Sequence, residues 1–256
     1  MDAKDKTRTA QTLARGLQIL GCYRDKGSEY GIKELSFMLA LPPTVVSRLV
    51  TTLVEYGYLY QNQDNKKYRL GLTAFTLGLR ANPDLALQNA AYPLLQRLAT
   101  DTNETVSLNV MNPATFEGVC IVSLESSAPV KLTTVVGSVR PLHRGATRKV
   151  LLAHFEPEDL NRYLDKFHIA GPERRDLMAE LEHIRVSGYA YSEGELDAGA
   201  YAIAAPILAP TGRILAGVAV AGPLFRLTEE TREKFVEQVK LAARQIGAAL
   251  GSAHPF

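Results

Sequence analysis

The sequence has no tryptophan, only two cysteines and no long apolar run, and each shortage excludes a class of protein. Cys22 and Cys120 are too few and too far apart for a disulfide framework or a local metal motif, so we expect both thiols to stay reduced in a cytosol. No apolar run approaches the roughly 20 residues that a membrane-spanning helix requires. The polar N-terminal stretch MDAKDKTRTAQTLARG lacks the apolar core of a signal peptide. We therefore expect a cytoplasmic protein with no membrane partner.

Catalytic signatures are also missing. The C-terminal two thirds of the chain contain no G-x-S-x-G elbow, no Walker loop, no G-x-G-x-x-G and no H-E-x-x-H. Glu193 and Glu195 are spaced as an acid–base pair might be, but SEGELDAG is more typical of a loop that leads into a strand. Four histidines are too widely spaced for a local metal motif: His143, His154, His168 and His183. The sequence predicts neither an enzyme nor a bound metal or cofactor.

The composition is that of a soluble globular protein, because 46% of its 256 residues are hydrophobic and 22% are charged. Charge is unevenly distributed along the chain. Residues 1–71 contain eleven Lys or Arg and seven Asp or Glu, a net charge of +4, whereas the remainder has a net charge of −2. This basic N-terminal quarter is consistent with a polyanionic partner, although a solvated surface accounts for so small an excess equally well.

Periodicity in residues 1–71 predicts a winged helix-turn-helix domain. Apolar spacing indicates helices over 9–23 and 32–39, and Pro42-Pro43 is typical of the entry to a third helix, because proline lacks an N–H that the first turn would leave unpaired. Gly57 is placed to end that helix. YLYQNQDNKKYRLG then reads as two short strands around an Asp-Asn turn, which is the expected wing.

The third helix has a face suited to DNA. At 100° per residue, its apolar residues share one arc, and the opposite arc carries mostly small hydroxyl side chains and one arginine: Thr44, Ser47, Arg48, Thr51, Thr52 and Glu55. Such a face can lie in a major groove and reach phosphates and base edges. Lys66 and Lys67 lie near the tip of the wing, where they could reach the phosphate backbone. The alternative is a three-helix module that binds another protein.

The remaining residues predict a connecting helix at 72–84 and a second domain at 85–256. Within this domain the pattern predicts a helix from residue 85 to about 100, strands at 105–112, 117–125, 130–137, 200–209 and 213–222, helices at 146–154, 157–166 and 173–187, and a closing helix from 228 to about 250 capped by Thr228. Strands joined by short turns, with helices grouped between and after them, indicate an α+β fold with a largely antiparallel sheet.

One stretch of this domain, GSVRPLHRGATRKVLLAH at residues 137–154, suggests an anion site. A strand ends at Gly137 and a helix begins near Gly145 and Ala146. Small residues at a helix start leave backbone N–H groups accessible to an anion such as a carboxylate. A tight strand-to-helix turn without a ligand is the equally open alternative.

Several separated motifs in order resemble the IclR family of bacterial transcription regulators over nearly the full chain. They are ARGLQIL, ELSFMLALPPTVVSRLVTTLVEYGYL and YRLG in the first domain, then ETVSLNV, GSVRPLHRGATRKVLLA, GYAYSEGELDAG, IAAPI and VAVAGP in the second. The resemblance implies a GAF-like domain that binds a small effector. It also implies homodimers, often paired into tetramers, that bind palindromic operators in double-stranded DNA.

The resemblance also implies roles for individual positions. Thr44, Val45, Ser47 and Arg48 match the recognition-helix contacts, although Val45 and Ser47 stand where threonine and histidine are common in the family. Ala146, Thr147 and Arg148 match the helix start that holds the effector carboxylate, and Arg148 replaces the usual glycine. The implied pocket wall comprises Leu132, Ser192, Ala200, Ala202 and Ala219.

Arg140 stands where the family usually places an apolar side chain that faces the pocket. We hypothesise that it pairs with an acidic effector; an arginine turned to solvent is the alternative. Together these observations predict a DNA-binding regulator controlled by a small organic acid, with an aromatic acid among the candidates. The rival interpretations are a metabolic enzyme with a regulatory module and a sensor that acts through protein partners.

Overall fold

The computed structural model describes residues 10–23, 27–80 and 85–252. Its backbone contacts divide the chain into two compact units, Met1–Pro83 and Asp84–Phe256, and each unit is described by itself. The helix predicted at 72–84 is present from Leu72 to Arg80, and its last four predicted residues lie outside the described ranges.

The first unit is a winged helix-turn-helix, as the sequence predicts. Its described elements are helices α1 (Gln11–Leu20), α2 (Ile32–Leu39) and α3 (Pro43–Glu55), strands β1 (Leu59–Gln61) and β2 (Tyr68–Leu70), and helix α4 (Leu72–Arg80). The two strands pair antiparallel, with Leu59 opposite Leu70. A backbone bridge between Tyr30 and Tyr68 ties β2 to the segment before α2.

The core of this unit forms where the three helices meet β1. Ile19, Leu35, Val46, Val50 and Leu59 are its buried centre, so the apolar arc predicted for α3 faces inward. Leu13 and Leu17 lie on α1 with Ile19 but are 63% and 58% exposed, so the apolar residues of this helix do not all face the core.

Helix α3 begins and ends where its sequence requires. Pro42 is its N-cap and Pro43 its first helical residue. Ala40 ends α2 in the left-handed conformation, and α3 leaves the turn at 115° to α2, within the range of helix-turn-helix motifs. Gly57 follows α3 at φ +74, which confirms the predicted glycine stop. None of the helices described here is by itself long and apolar enough to cross a membrane, although α2 and α3 pass that test as a bent pair.

The second unit is an α+β domain built on one antiparallel sheet, as predicted. Its described helices are α5 (Leu85–Thr102), α6 (Ala146–Leu152), α7 (Pro157–Lys166), α8 (Gly171–Ser187) and α9 (Glu229–Ser252). Its strands are β3 (Thr105–Asn112), β4 (Glu117–Leu124), β5 (Val139–Pro141), β6 (Ala190–Glu193), β7 (Ala200–Leu208) and β8 (Ile214–Pro223). They are ordered β5-β4-β3-β8-β7-β6.

The sheet has a hydrophobic core on each face. Helices α5 and α9 cover one face through residues such as Leu95, Val239 and Ile246. Helices α6, α7 and α8 cover the other face, where the strands contribute small residues such as Ala204 and Ala219. Small side chains on β7 and β8 allow α6 to lie close to the sheet, and this packing places the start of α6 over the centre of the sheet.

Two expectations for this unit were wrong. Residues 130–137 form no strand, because their carbonyls bond to side chains: Leu132 O accepts from Thr105 Oγ1, and Val130 O accepts from Arg226 Nη1. The strand lies instead at Val139–Pro141. Strand β6 was missed because its first residues are followed at once by the Gly- and acid-rich loop that dominated the prediction.

Candidate functional site

The outward face of α3 carries the side chains that the sequence assigns to DNA. Thr44, Ser47, Arg48 and Thr51 are exposed, and Val45 is half-buried. Four of these side chains and Thr12 of α1 line a shallow depression: Val45, Ser47, Arg48 and Thr51. Because the side chains around the Arg48 guanidinium are short, the outward face of α3 is narrow enough to enter a DNA major groove, which is about 12 Å wide.

The wing places its two lysines in different environments. Lys66, at φ 58, is exposed, and its Nζ lies 3.4 Å from Gln63 Oε1. Lys67 Nζ instead donates to Glu34 Oε1 at 2.8 Å, so its charge is shared with α2. The hydrogen bond from Gly31 N and then the one from Lys67 lower the pKa of Glu34, which keeps this carboxylate ionised. Lys66 is therefore the more accessible of the two charges.

Two features of the wing were not predicted from the sequence. Glu29 accepts hydrogen bonds from the side-chain amides of Asn62 and Asn65, and these bonds lower its pKa, that from Asn65 most. They fasten the wing loop to the segment before α2. Arg69 lies over the ring of Tyr60, 5.2 Å from its centroid, as a second exposed cation on the wing. The first joins the wing to a segment more than 30 residues earlier, and the second crosses the hairpin, so local patterns reveal neither.

In the second unit, the residues predicted to bind an effector lie on α6, on strands β5 to β8 and, for Leu132, in the segment before β5. Ala146, Thr147, Arg148, Ser192, Ala200 and Ala219 are buried, Leu132 and Ala202 are half-buried, and Arg140 is exposed. Ser192, Ala202 and Ala219 lie on β6, β7 and β8, on the face that α6 covers. Arg140 lies on β5, and its Nη1 donates to the carbonyl of Val139 at 3.3 Å.

Two of the backbone amides that open α6 already have side-chain partners within the chain. Gly145 N donates to Glu195 Oε2 at 2.9 Å, and Ala146 N donates to Ser192 Oγ at 3.0 Å. A carboxylate thus occupies the helix start, as the sequence predicts for an anion, but it belongs to the loop between β6 and β7. This role of Glu195 was missed because its partner is 50 residues away in sequence.

Glu195 is also part of a charged triad. Lys149 Nζ lies 2.7 Å from both Glu195 Oε1 and Glu180 Oε1, and only 5% of Lys149 is exposed. The Glu195 carbonyl accepts a further bond from Arg144 Nη2. The triad therefore holds the β6–β7 loop against α6 and satisfies the buried ammonium group.

Arg148 is buried beside this triad without sharing its carboxylates. It is 7% exposed, and its Nε has no hydrogen-bond partner among the described residues. Burial lowers the pKa of its guanidinium, against an opposing contribution from the Cys120 thiol. A buried cation without a partner is unfavourable by itself and attracts an anion.

A polar row on β3 was not predicted. Thr105, Ser107 and Asn109 are all buried, and Asn109 Nδ2 donates to Ser107 Oγ at 3.3 Å. The Asn109 Oδ1 atom has no partner within the described part of the chain. The alternation of TVSLNV, with polar residues at every second position, is the signal that could have revealed this row.

Tyr163 of α7 is buried and bonds to the segment between β5 and α6. Its hydroxyl accepts hydrogen bonds from Leu142 N and His143 N and lies 2.6 Å from His143 Nδ1. Because two N–H groups already donate to this oxygen, we assign Tyr163 as the donor to Nδ1. Burial raises the pKa of Tyr163 to about 12 and lowers that of His143. Within the described ranges, no three His, Cys, Asp or Glu side chains are arranged to hold a metal ion.

A winged helix-turn-helix with a free polar recognition face, carried with an α+β domain on one chain, defines a DNA-binding transcription regulator. Family comparisons agree with this class. The IclR helix-turn-helix model matches residues 12–63, and the model of the bacterial transcriptional regulator IclR C-terminal domain matches residues 81–248. The chain belongs to the IclR family.

The chain matches curated transcription regulators over nearly their whole length. The repressor AllR of Escherichia coli K12 is 30% identical over 253 residues, which cover 96% of this chain and 93% of AllR. The regulator KdgR of the same strain is 28% identical, with 96% of each chain covered.

Solved structures give the same architecture. An IclR homologue from Microbacterium hydrocarbonoxydans, complexed with 4-hydroxybenzoate, is 27% identical and has a TM-score of 0.77, with 94% of this chain and 99% of that chain covered. An IclR-type regulator from Silicibacter sp. TM1040 is 24% identical with a TM-score of 0.79, covering 95% and 98%, and supports the fold alone.

Proposed function

We propose that this protein is a cytoplasmic regulator that binds a palindromic operator as a homodimer or a dimer of dimers. Its affinity for the operator decreases or increases when a small organic acid binds its second unit. It acts by binding and does not catalyse a reaction. The exposed hydroxyl-and-arginine face of α3 is the observation that carries the proposal, because family membership gives this face a DNA partner.

The DNA contacts divide by chemistry. Arg48 can reach a guanine edge or a phosphate, while Thr44, Ser47 and Thr51 can donate to phosphates. Lys66 extends the contact to the backbone beside the groove. Val45 offers an apolar contact of the kind that recognises a thymine methyl group.

Exposed apolar side chains in the first unit support self-association. Leu72, Phe75 and Leu77 on α4 are 74%, 61% and 47% exposed, and Leu13 and Leu17 are exposed on α1. Apolar surface of this extent is typical of an interface. A two-fold dimer would place two recognition helices on half-sites about 34 Å apart per helical turn.

The second unit is the proposed effector site. The homologue from Microbacterium hydrocarbonoxydans was solved with an aromatic acid, 4-hydroxybenzoate, which supports an acid as the class of ligand. Its acidic group would lie near Arg148 or Arg140, with Leu132, Ser192, Ala200, Ala202 and Ala219 as the wall and Ala146 and Thr147 at the helix start. Binding would bias the spacing of the recognition helices through the connecting segment at 72–84, and DNA would change effector affinity by the same factor.

Selection of operators from a random duplex pool by the full chain tests the DNA-binding half. We expect an enriched two-fold-symmetric sequence whose log affinity falls linearly with log salt, with a slope of about −0.9 for each phosphate contact. Binding that selects no sequence and ignores salt contradicts the proposal.

Calorimetric titration with candidate acids, repeated on the selected operator complex, tests the effector half. Arg140→Leu tests whether Arg140 pairs with the effector: an unchanged acid affinity would remove Arg140 from the site.

A further inference from the structure

Six buried side-chain polar atoms of the second unit have no hydrogen-bond partner among the described residues, and two of them belong to α6 and to the strand beneath it. One is the donor Nε of Arg148, which is 7% exposed, and the other is the acceptor Oδ1 of Asn109, which is 1% exposed. Buried polar groups are nearly always hydrogen-bonded, because desolvation without a partner is costly. An orphaned donor and an orphaned acceptor therefore point to a ligand that supplies both partners.

The two atoms belong to the same place in the fold. A Cβ built on Gly217 would lie 2.7 Å from Thr147 O, so this face of β8 lies against the first turn of α6. Asn109 is the cross-strand partner of Gly217 and shares that face. A Cβ on Gly118 of β4 would lie 3.1 Å from Arg148 Cγ. Arg148 and Asn109 thus both lie between α6 and the adjoining strands β3 and β4.

The guanidinium is also left without a carboxylate. Glu195 and Glu180 both pair with Lys149, and Glu195 in addition accepts from Gly145 N. The charged groups near Arg148 are Asp197, which is exposed and forms no ion pair in the described part of the chain, and Arg140, which is repulsive. An acidic ligand consequently meets a guanidinium that forms no ion pair within the described residues, whereas the amides of Gly145 and Ala146 are already taken.

We propose that Arg148 and Asn109 are the residues that select the effector, and that it is a hydroxy acid: its carboxylate pairs with the Arg148 guanidinium and its hydroxyl donates to Asn109 Oδ1. This inference rests on the proposed function and narrows its ligand. It moves the acidic group from the start of α6, which Glu195 and Ser192 occupy, to a side chain.

Calorimetry on the full chain with two matched pairs of acids tests the assignment: benzoate with 4-hydroxybenzoate, and propionate with lactate. For the pair that fits, we expect the wild type to prefer the hydroxy acid by about tenfold, the worth of one hydrogen bond to a buried group. Arg148→Met should weaken binding of that acid by about a hundredfold, because a buried charge pair is lost. Asn109→Leu should abolish the preference within the pair and retain affinity for the parent acid.

Thermal unfolding without ligand separates a selecting role from a structural one. Arg148→Met should melt above the wild type, since it removes a buried unpaired cation, and a structural arginine would melt lower when replaced. Arg175→Met, at a side chain that is 77% exposed on α8, is the matched control and should change neither melting nor binding.

Wild-type affinity of Arg148→Met for an acid that the wild type binds overturns this inference and leaves the proposed function intact. Equal affinity for both members of each pair overturns the hydroxyl assignment. If the wild type binds none of the four acids, the hydroxy-acid assignment is wrong, and the operator selection still tests DNA binding separately.

Discussion

Lys149 Nζ lies 2.7 Å from Glu195 Oε1, and this ion pair joins the first turn of α6 to the loop between β6 and β7. The same carboxylate accepts a hydrogen bond from Gly145 N through its other oxygen. One side chain of the loop therefore satisfies both the buried ammonium and the start of the helix. The loop is held in place by polar contacts, since its exposed residues bury little apolar surface.

Lys149→Met should destabilise the protein by roughly 2–3 kcal/mol, below the roughly 3–5 kcal/mol of a fully buried pair. The reduction follows because Glu180 and Glu195 remain 37% and 29% exposed, so water partly solvates the carboxylates left behind. Urea unfolding measures the change. Lys131→Met, which removes a surface pair with Glu125, is the control and should cost less than about 1 kcal/mol. Equal losses in both variants would contradict a structural role for the triad.

Arg48→Ala should weaken operator binding by about 1–3 kcal/mol, as expected for an arginine that contacts DNA. Its side chain is exposed on α3, so folding should be unaffected. Fluorescence anisotropy with a labelled operator measures affinity, and melting temperature checks the fold. Arg97→Ala, on the exposed surface of α5, serves as control. An Arg48→Ala protein that binds its operator normally would remove α3 from the interface.

Lys66→Ala should lower the magnitude of the slope of log affinity against log salt by about 1, because one phosphate contact is lost. Lys67→Ala should change the slope less, since Lys67 already pairs with Glu34 at 2.8 Å. Titrations of operator at several salt concentrations compare the two. The reverse order would show that the Lys67–Glu34 pair opens on DNA.

Tyr163→Phe should destabilise the second unit by about 1–3 kcal/mol, because the amides of Leu142 and His143 lose their acceptor in a buried place. Chemical denaturation followed by circular dichroism measures the loss. Tyr92→Phe, at a residue that is 45% exposed, should be close to neutral. A neutral Tyr163→Phe would mean that water replaces the hydroxyl.

Acidification should weaken the second unit as pH falls below about 6.5, the value for an unfolded histidine. The folded pKa of His143 is lowered by burial, so the unfolded chain binds the proton first and stability decreases until pH passes below the folded pKa. His143→Asn should flatten this dependence in unfolding experiments. His154, whose pKa burial also lowers, accounts for part of the remainder. His168→Asn is the control, because His168 is exposed and asparagine tolerates its φ of 56.

Sequence reasoning found the elements that local chemistry specifies. The paired prolines, the apolar arc around Val46 and the glycine at position 57 gave α3 its start, its buried side and its end, and the structure agrees. The run at 130–137 has β-branched residues in a strand-like pattern. It forms no strand because Thr105 and Arg226 take the carbonyls that a neighbouring strand would need.

The candidate effector site depends on contacts that no local pattern contains. The α6 start was identified as an anion site from its small residues, but its anion, Glu195, comes from a loop 50 residues later. Asn109 was overlooked because an asparagine within a strand looks unremarkable until α6 covers it. The sequence marks Arg148 only as a departure from the family pattern. Its burial, with Nε unpartnered among the described residues, results from packing against strands distant in sequence.

The glycines at 118 and 217 allow atoms of α6 to lie directly against the strand backbone, because a Cβ at these positions would come within 3.1 Å of Arg148 Cγ and 2.7 Å of Thr147 O. A methyl group at either position would therefore push the helix and the sheet apart. These two positions set how closely the two layers approach each other.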